Sequence, residues 1–330
     1  MTPESTLAAI MLAALTLYAL FGGADYGGGA WDLLASGPRG RAQRDLIAHA
    51  IGPVWEANHV WLILVVVILF TGFPPAFSAV MTNLHLPISL MLVGIVLRGS
   101  AFTFRAHDPS PGSERRWNHR FSIPSAITPV LLGSIVGAIA TGRVEGPGGA
   151  SAWLTPFPIA VGLLTLSLFA YLAAVYLAVE ADDPALADDF RARAIAAWLA
   201  SAALAAAVYG LARSEAPLIA KGLDARPWGF PVRVATAVLA AAVLAALVGR
   251  RFVLARAGAM VQVALVILGC GLALNPYLVP PGRTIANSAS PPITLKLMLG
   301  ALGAGSLVLF PSLFCLWRVF KSRAIVRPKP

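Results

Sequence analysis

Hydrophobic positions in this chain come in long, nearly unbroken runs. They show neither the spaced stripe of a water-facing helix nor the alternation of a half-buried strand. Nine runs approach the ~20 predominantly apolar residues that a helix needs to cross the hydrocarbon core. They cover 7–28, 51–72, 77–104, 123–141, 156–179, 194–211, 231–248, 255–278 and 293–319. The pattern predicts an all-α polytopic membrane protein of about nine transmembrane helices, a single integral membrane domain over residues 1–330. The connections are short and rich in Pro, Gly or charge, as over 106–120 and 279–292, and none is long enough to separate two domains. The acidic stretch 181–189 reads as a solvated loop or a weak contact surface.

Composition supports this reading. Of the residues, 58% are hydrophobic and only 12% charged, with a mean hydropathy of +0.77. A soluble domain carries roughly 25% charged residues, so lipid must serve as the solvent for most of this exterior. The net charge of +10 would suggest nucleic acid in a soluble protein. Here the basic residues fall between apolar runs, without interleaved aromatics, and act as topology signals instead. With nine spans, one side collects 18 Lys and Arg (Arg39, Arg41, Arg44, Arg98, Arg105, Arg115, Arg116, Arg120, Arg191, Arg193, Arg250, Arg251, Arg256, Arg318, Lys321, Arg323, Arg327, Lys329). The other side collects 6 (Arg143, Arg213, Lys221, Arg226, Arg233, Arg283), with Lys296 left inside the last span. The bias places the N-terminus outside and the C-terminus in the cytoplasm. No basic region precedes the first run, so it is expected to be a retained helix and not a cleaved signal. Cys270 and Cys315 lie in apolar runs and make no disulfide framework or zinc pattern.

Charges inside spans are costly, by roughly 2.5–3.5 kcal/mol on insertion scales, and therefore point to function. Asp25 sits among glycines in Gly22–Gly29. No strand precedes them and no Lys-Ser/Thr pair follows, so they are not a phosphate loop; glycines in a membrane helix allow close helix approach. Asp25 is either a carboxylate facing a neighbouring helix or a helix-end group at the interface. In Val54-Trp55-Glu56-Ala57-Asn58-His59-Val60-Trp61, Glu56 and His59 are one turn apart, able to exchange or share a proton. His59 could also be a metal or haem ligand, though no partner His is obvious in another span. Trp55 and Trp61 suit interfacial anchors. Arg98 and Arg105, seven residues apart, share a face; Arg98 either snorkels to lipid phosphate or pairs with Asp25 or Glu56. Lys296 fits snorkelling. Asp25, Glu56, His59 and Arg98 thus form a candidate polar cluster near the cytoplasmic face, suited to proton entry or to locking helices together. A secondary transporter would instead concentrate polar groups at the midplane on broken helices. A pure assembly scaffold would use the cluster structurally.

At these residues the sequence resembles a known family. IGPVWEANHVWLI at 51–63 looks like the signature of subunit II of cytochrome bd-type quinol oxidases, in the branch that includes cyanide-insensitive oxidases. Much of the family has Trp-Asp-Gly-Asn where this chain has Trp55-Glu56-Ala57-Asn58. GADYGGGAWDLL at 23–34 is similar to the family's first-helix motif, and PYLVPPGRTIANSASPPITLKLML at 276–299 to its link between the last two helices. The resemblance implies two four-helix bundles plus one peripheral helix, in a prokaryotic cytoplasmic (inner) membrane. It implies a homologous subunit I as partner, carrying haem b, haem d and the quinol site, with room for a small accessory subunit. It further implies a complex that oxidises quinol and reduces oxygen to water. This subunit is expected to bind no haem or metal itself, and could hold a structural quinone or lipid. Glu56 and Asp25, with His59, become candidate proton-path residues; Trp55, Asn58, Trp61, Arg98 and Arg105 become candidate structural or interface residues.

Overall fold

Hydrocarbon offers backbone N–H and C=O groups no partner, so each apolar run satisfies its own by forming a helix. The computed structural model describes residues 2–52, 55–105 and 113–325. Nine helices among these residues are long and apolar enough to cross a membrane. The first span, Pro3–Leu33, is α1 (Pro3–Leu17), a π-helical turn (Tyr18–Gly22) and α2 (Gly23–Leu33). The others are α4 (Trp55–Gly72), α6 (His85–Arg105), α7 (Ser113–Thr141), α8 (Pro156–Glu180), α9 (Pro184–Glu215), α11 (Gly229–Val248), α12 (Phe252–Leu274) and α13 (Pro292–Ile325). Three shorter helices connect them: α3 (Gly40–Ile51), α5 (Pro74–Asn83) and α10 (Pro217–Ala225). A two-stranded hairpin, Tyr277–Val279 with Arg283–Thr284, lies between α12 and α13.

The first span, α4, α6 and α7 make one bundle, and α8, α9, α11 and α12 the other; α2, α7 and α8 join them. α13 leans on α1 and α4 and buries little, which makes it the peripheral helix. The close approach of α2 to α8 explains the glycines. A Cβ at Gly27 would fall on the backbone of Phe169, and one at Gly29 would strike Ser125. Trp31 adds a hydrogen bond from its indole N–H to the Ala170 carbonyl at 2.7 Å.

The structure departs from the sequence reading at several helix ends. The third span starts at His85 and not near residue 77, because α5 is a separate helix begun by Pro74 and Pro75. The acidic 181–189 stretch is only briefly a loop. Asp183 caps α9, accepting from the Ala185 N–H at 2.9 Å, and the helix starts at Pro184. Asp189 receives Arg39 at 2.7 and 2.6 Å and Gln43 at 2.9 Å; this pairing holds the Arg39 guanidinium above its usual pKa. The region around 40–51, without a long apolar run, forms α3, which buries Gln43, Ile47 and Ile51. Cys270 packs partly buried while Cys315 is exposed. Pro53, Val54, His107, Arg327 and Lys329, and the side chains of Arg115, Lys321 and Arg323, lie outside the described residues.

Candidate functional site

The site begins with the π-helical turn. Tyr18 and Tyr26 are eight residues apart, which in a regular α-helix leaves them about 80° apart around the axis. The wider turn absorbs one residue, bringing the offset to about 20°. Both rings then face one side, with their hydroxyls 3.2 Å apart. The Leu20 carbonyl within this turn accepts from the Tyr176 hydroxyl at 3.2 Å.

Asp25 is buried at 5% exposure and accepts a hydrogen bond from Asn58 Nδ2 at 2.7 Å. The carboxylate therefore faces protein, not lipid. His59, next in sequence, lies among Tyr18, Tyr26 and Trp55, with ring-centre separations of 6.1, 6.4 and 6.3 Å. Arg98 is 2% exposed, so it does not snorkel. Its guanidinium lies 4.4 Å from the centre of the Tyr26 ring and 5.5 Å from that of Phe121. Among the described residues it makes no ion pair with Asp25 or Glu56, and its Nε and Nη2 have no hydrogen-bond partner. Its charge nevertheless acts on Asp25, Tyr18, Tyr26 and His59. Trp61 is buried against Tyr18, Tyr26 and Phe169 and is no interfacial anchor; Trp55 packs on Phe102. Lys296 is exposed at the start of α13.

Glu56 does not join this cluster. It is exposed, while Asn58 is buried. Two residues turn a helix by about 200°, so α4 cannot send both side chains inward. The group that reaches Asp25 is the amide, and the expected Glu56–Asp25 neighbourhood is replaced by Asn58–Asp25.

One residue that sequence reasoning passed over is Asp32. Its side chain is wholly buried, receiving Arg105 Nη1 at 3.1 Å and the Ser122 hydroxyl at 2.7 Å. The signal was present: Asp25 and Asp32 are spaced seven apart, as are Arg98 and Arg105. The two helices thus present two tiers of matched charge. The Asp32–Arg105 tier is closed into an ion pair; the Asp25 tier is open, its acid held by an amide and its arginine by aromatic faces. Removing one partner of a buried pair costs about 3–5 kcal/mol. Asp32→Ala should therefore lower thermal stability by about that amount, and adding Arg105→Ala should restore most of it. A double variant no more stable than the single one would show that this tier is not a latch.

Chemically, the open tier brings a carboxylate, an imidazole and two phenols, buried or half-buried, beside one fixed positive charge. That set can hold or pass a proton. Among the described residues no three His, Cys, Asp or Glu converge as metal ligands, and aromatic rings surround His59.

Fold and site together define a polytopic membrane protein with an internal cluster of titratable side chains. The family model for cytochrome bd terminal oxidase subunit II matches residues 3–320, and the chain belongs to that family. A cytochrome bd menaquinol oxidase subunit II described in Bacillus subtilis (strain 168) is 23% identical over 322 residues, covering 92% of this chain and 91% of that one. Cytochrome bd-I ubiquinol oxidase subunit 2 of Escherichia coli (strain K12) is 24% identical over 148 residues, 42% of this chain. That match spans 39% of the Escherichia coli protein, well under two thirds of its length. The solved bd oxidase from Geobacillus thermodenitrificans contains a chain of the same fold. Its TM-score is 0.81 at 23% identity, covering 97% of this chain and 99% of that one.

Proposed function

We propose that this chain is the haem-free second subunit of a quinol-oxidising terminal oxidase. It supports a haem-bearing subunit I and passes protons toward the reduction of oxygen to water. The observation that carries the proton role is the open tier: a buried carboxylate in an amide's hydrogen bond, with no ion pair to the nearby arginine. A purely structural cluster is expected to close its charges into pairs, as Asp32 and Arg105 do seven residues on.

The surface supports a large membrane partner. On α4, Glu56, Val60, Ile63, Val67 and Phe70 are exposed, and on α6, Leu86, Leu90, Val93, Leu97 and Phe104 are exposed. Both sets advance by alternating steps of three and four, or by the seven they sum to. That is the spacing of a seam packed against other helices. Glu56 stands at one end of the α4 seam, so a docked subunit would cover it beside His59. In this reading Glu56 takes protons at the boundary between subunits and the Asp25 cluster receives them within. The arginine-rich ends would face the cytoplasm. The haems and the quinol belong to the partner.

A tagged chain purified in mild detergent should bring a second polypeptide and haem b and d absorption bands; a colourless single chain would remove the assignment. In the intact complex, Glu56→Gln should lower oxygen consumption by at least about tenfold, within the range of proton-transfer groups. Unchanged consumption would exclude Glu56 from the path.

A further inference from the structure

We propose that the turn between α11 and α12 is a binding site for one anionic phospholipid, with Arg251 holding its phosphate. Two clefts adjoin there and share Arg251 and Leu254. The larger, about 570 Å³, lies between the α8–α9 turn (Ala181, Asp182) and the start of α12 (Phe252, Val253). The smaller, about 470 Å³, runs along α11 over Ala242, Ala245 and Gly249. Sizes of this order suit small-molecule sites. α8 and α11 end at this level and α9 and α12 begin there, which places the clefts where hydrocarbon meets headgroups. The first cleft carries Asp182 and Arg250 at its lip, and the second is lined by Ala, Val, Gly and Leu residues apart from Arg251.

The turn carries a second observation. Arg250 has φ of +56°, a left-handed conformation that side-chain-bearing residues adopt at a cost. Its N–H reaches the Leu247 carbonyl at 3.2 Å, and that of Arg251 reaches Ala246 at 2.8 Å. That is the helix-ending motif in which glycine normally takes the left-handed place. Glycine stands one residue earlier, so the chain spends strain to keep two arginines side by side.

Charge selects the occupant. Arg250 and Arg191 share Asp188 at 2.8 and 3.2 Å. Arg256 faces Glu180 at 3.6 Å, and Asp183 is turned to its own helix. Asp182 lies on the opposite lip. Arg191, Arg250 and Arg256 each have an acidic partner within 4 Å. Among the described residues Arg251 has no acidic partner. Basic pockets at the ends of membrane helices recognise lipid phosphate, and an anionic lipid supplies both a partner for Arg251 and an acyl chain.

Native mass spectrometry of the purified complex tests this. The wild type should retain one phosphatidylglycerol through delipidation, displaced by added phosphatidylglycerol but by neither phosphatidylcholine nor inorganic phosphate. Arg251→Ala should weaken retention at least about fivefold, as loss of one near-surface arginine implies. Arg251→Lys should keep most of it, and Arg213→Ala, at the other membrane face, all of it. Equal displacement by phosphatidylcholine would overturn the charge recognition. Displacement by inorganic phosphate would make the site one for free phosphate and overturn the lipid. Undiminished retention in Arg251→Ala would overturn the site altogether.

Discussion

Asp25→Asn should lower quinol-driven oxygen consumption by at least about tenfold while leaving the complex assembled and its haem spectrum unchanged. The substitution preserves shape, and the new amide can still hydrogen-bond to Asn58, so helix packing has little reason to change. What it removes is a group able to take and release a proton, and positioned acid–base groups contribute about 10²–10⁴ in rate. Asp25→Glu keeps the titratable group on a longer arm and should recover part of the activity. If Asp25→Asn runs at the wild-type rate in an intact complex, the cluster is structural and the proton reading fails. If the complex does not assemble, Asp25→Glu decides instead, since a structural role would not depend on which variant can ionise.

Gly27→Val should prevent assembly of a stable complex. The added Cβ would occupy the place of the Phe169 carbonyl, and a carbonyl in a helix backbone cannot turn aside as a side chain can. α2 would have to move away from α8, and that contact also positions Asp25 and Trp31. Overpacking costs about 1–3 kcal/mol and sometimes more; at a backbone contact the upper end is expected. Gly210 is the control: a Cβ there meets nothing within 4 Å, so Gly210→Ala should be neutral or slightly stabilising. Thermal unfolding followed by size-exclusion chromatography reads both. A Gly27→Val complex melting with the wild type would show that the α2–α8 approach is not tight.

The candidate site was only partly legible beforehand. Asp25, His59 and Arg98 were conspicuous as polar residues in apolar runs and Asn58 came in with the family motif, and the structure brings these four together. Glu56 was conspicuous for the same reason, yet it faces outward. Polarity in a span says that a partner is needed; it does not say whether the same chain or another one provides it. Asp32 falls four residues beyond the apolar run 7–28, where a carboxylate can meet water. Only its neighbours on α6 and α7 reveal it as buried. The alignment of Tyr18 with Tyr26 was likewise out of reach, since it depends on a π-helical turn and no residue pattern in 18–22 announces one.

Nine spanning helices, their order and their family can be read from the linear chain. Each depends on local quantities: the length of an apolar run, the cost of an unsatisfied peptide group in lipid, a contiguous motif. Which carboxylate is sheltered, which arginine is paired and which face is left open depends on helix rotation. Rotation is settled by side chains from distant segments meeting in the same space: Phe169 against Gly27, Asn58 against Asp25, Tyr26 against Arg98. Those contacts form between residues far apart in sequence, and they exist only once the helices have packed.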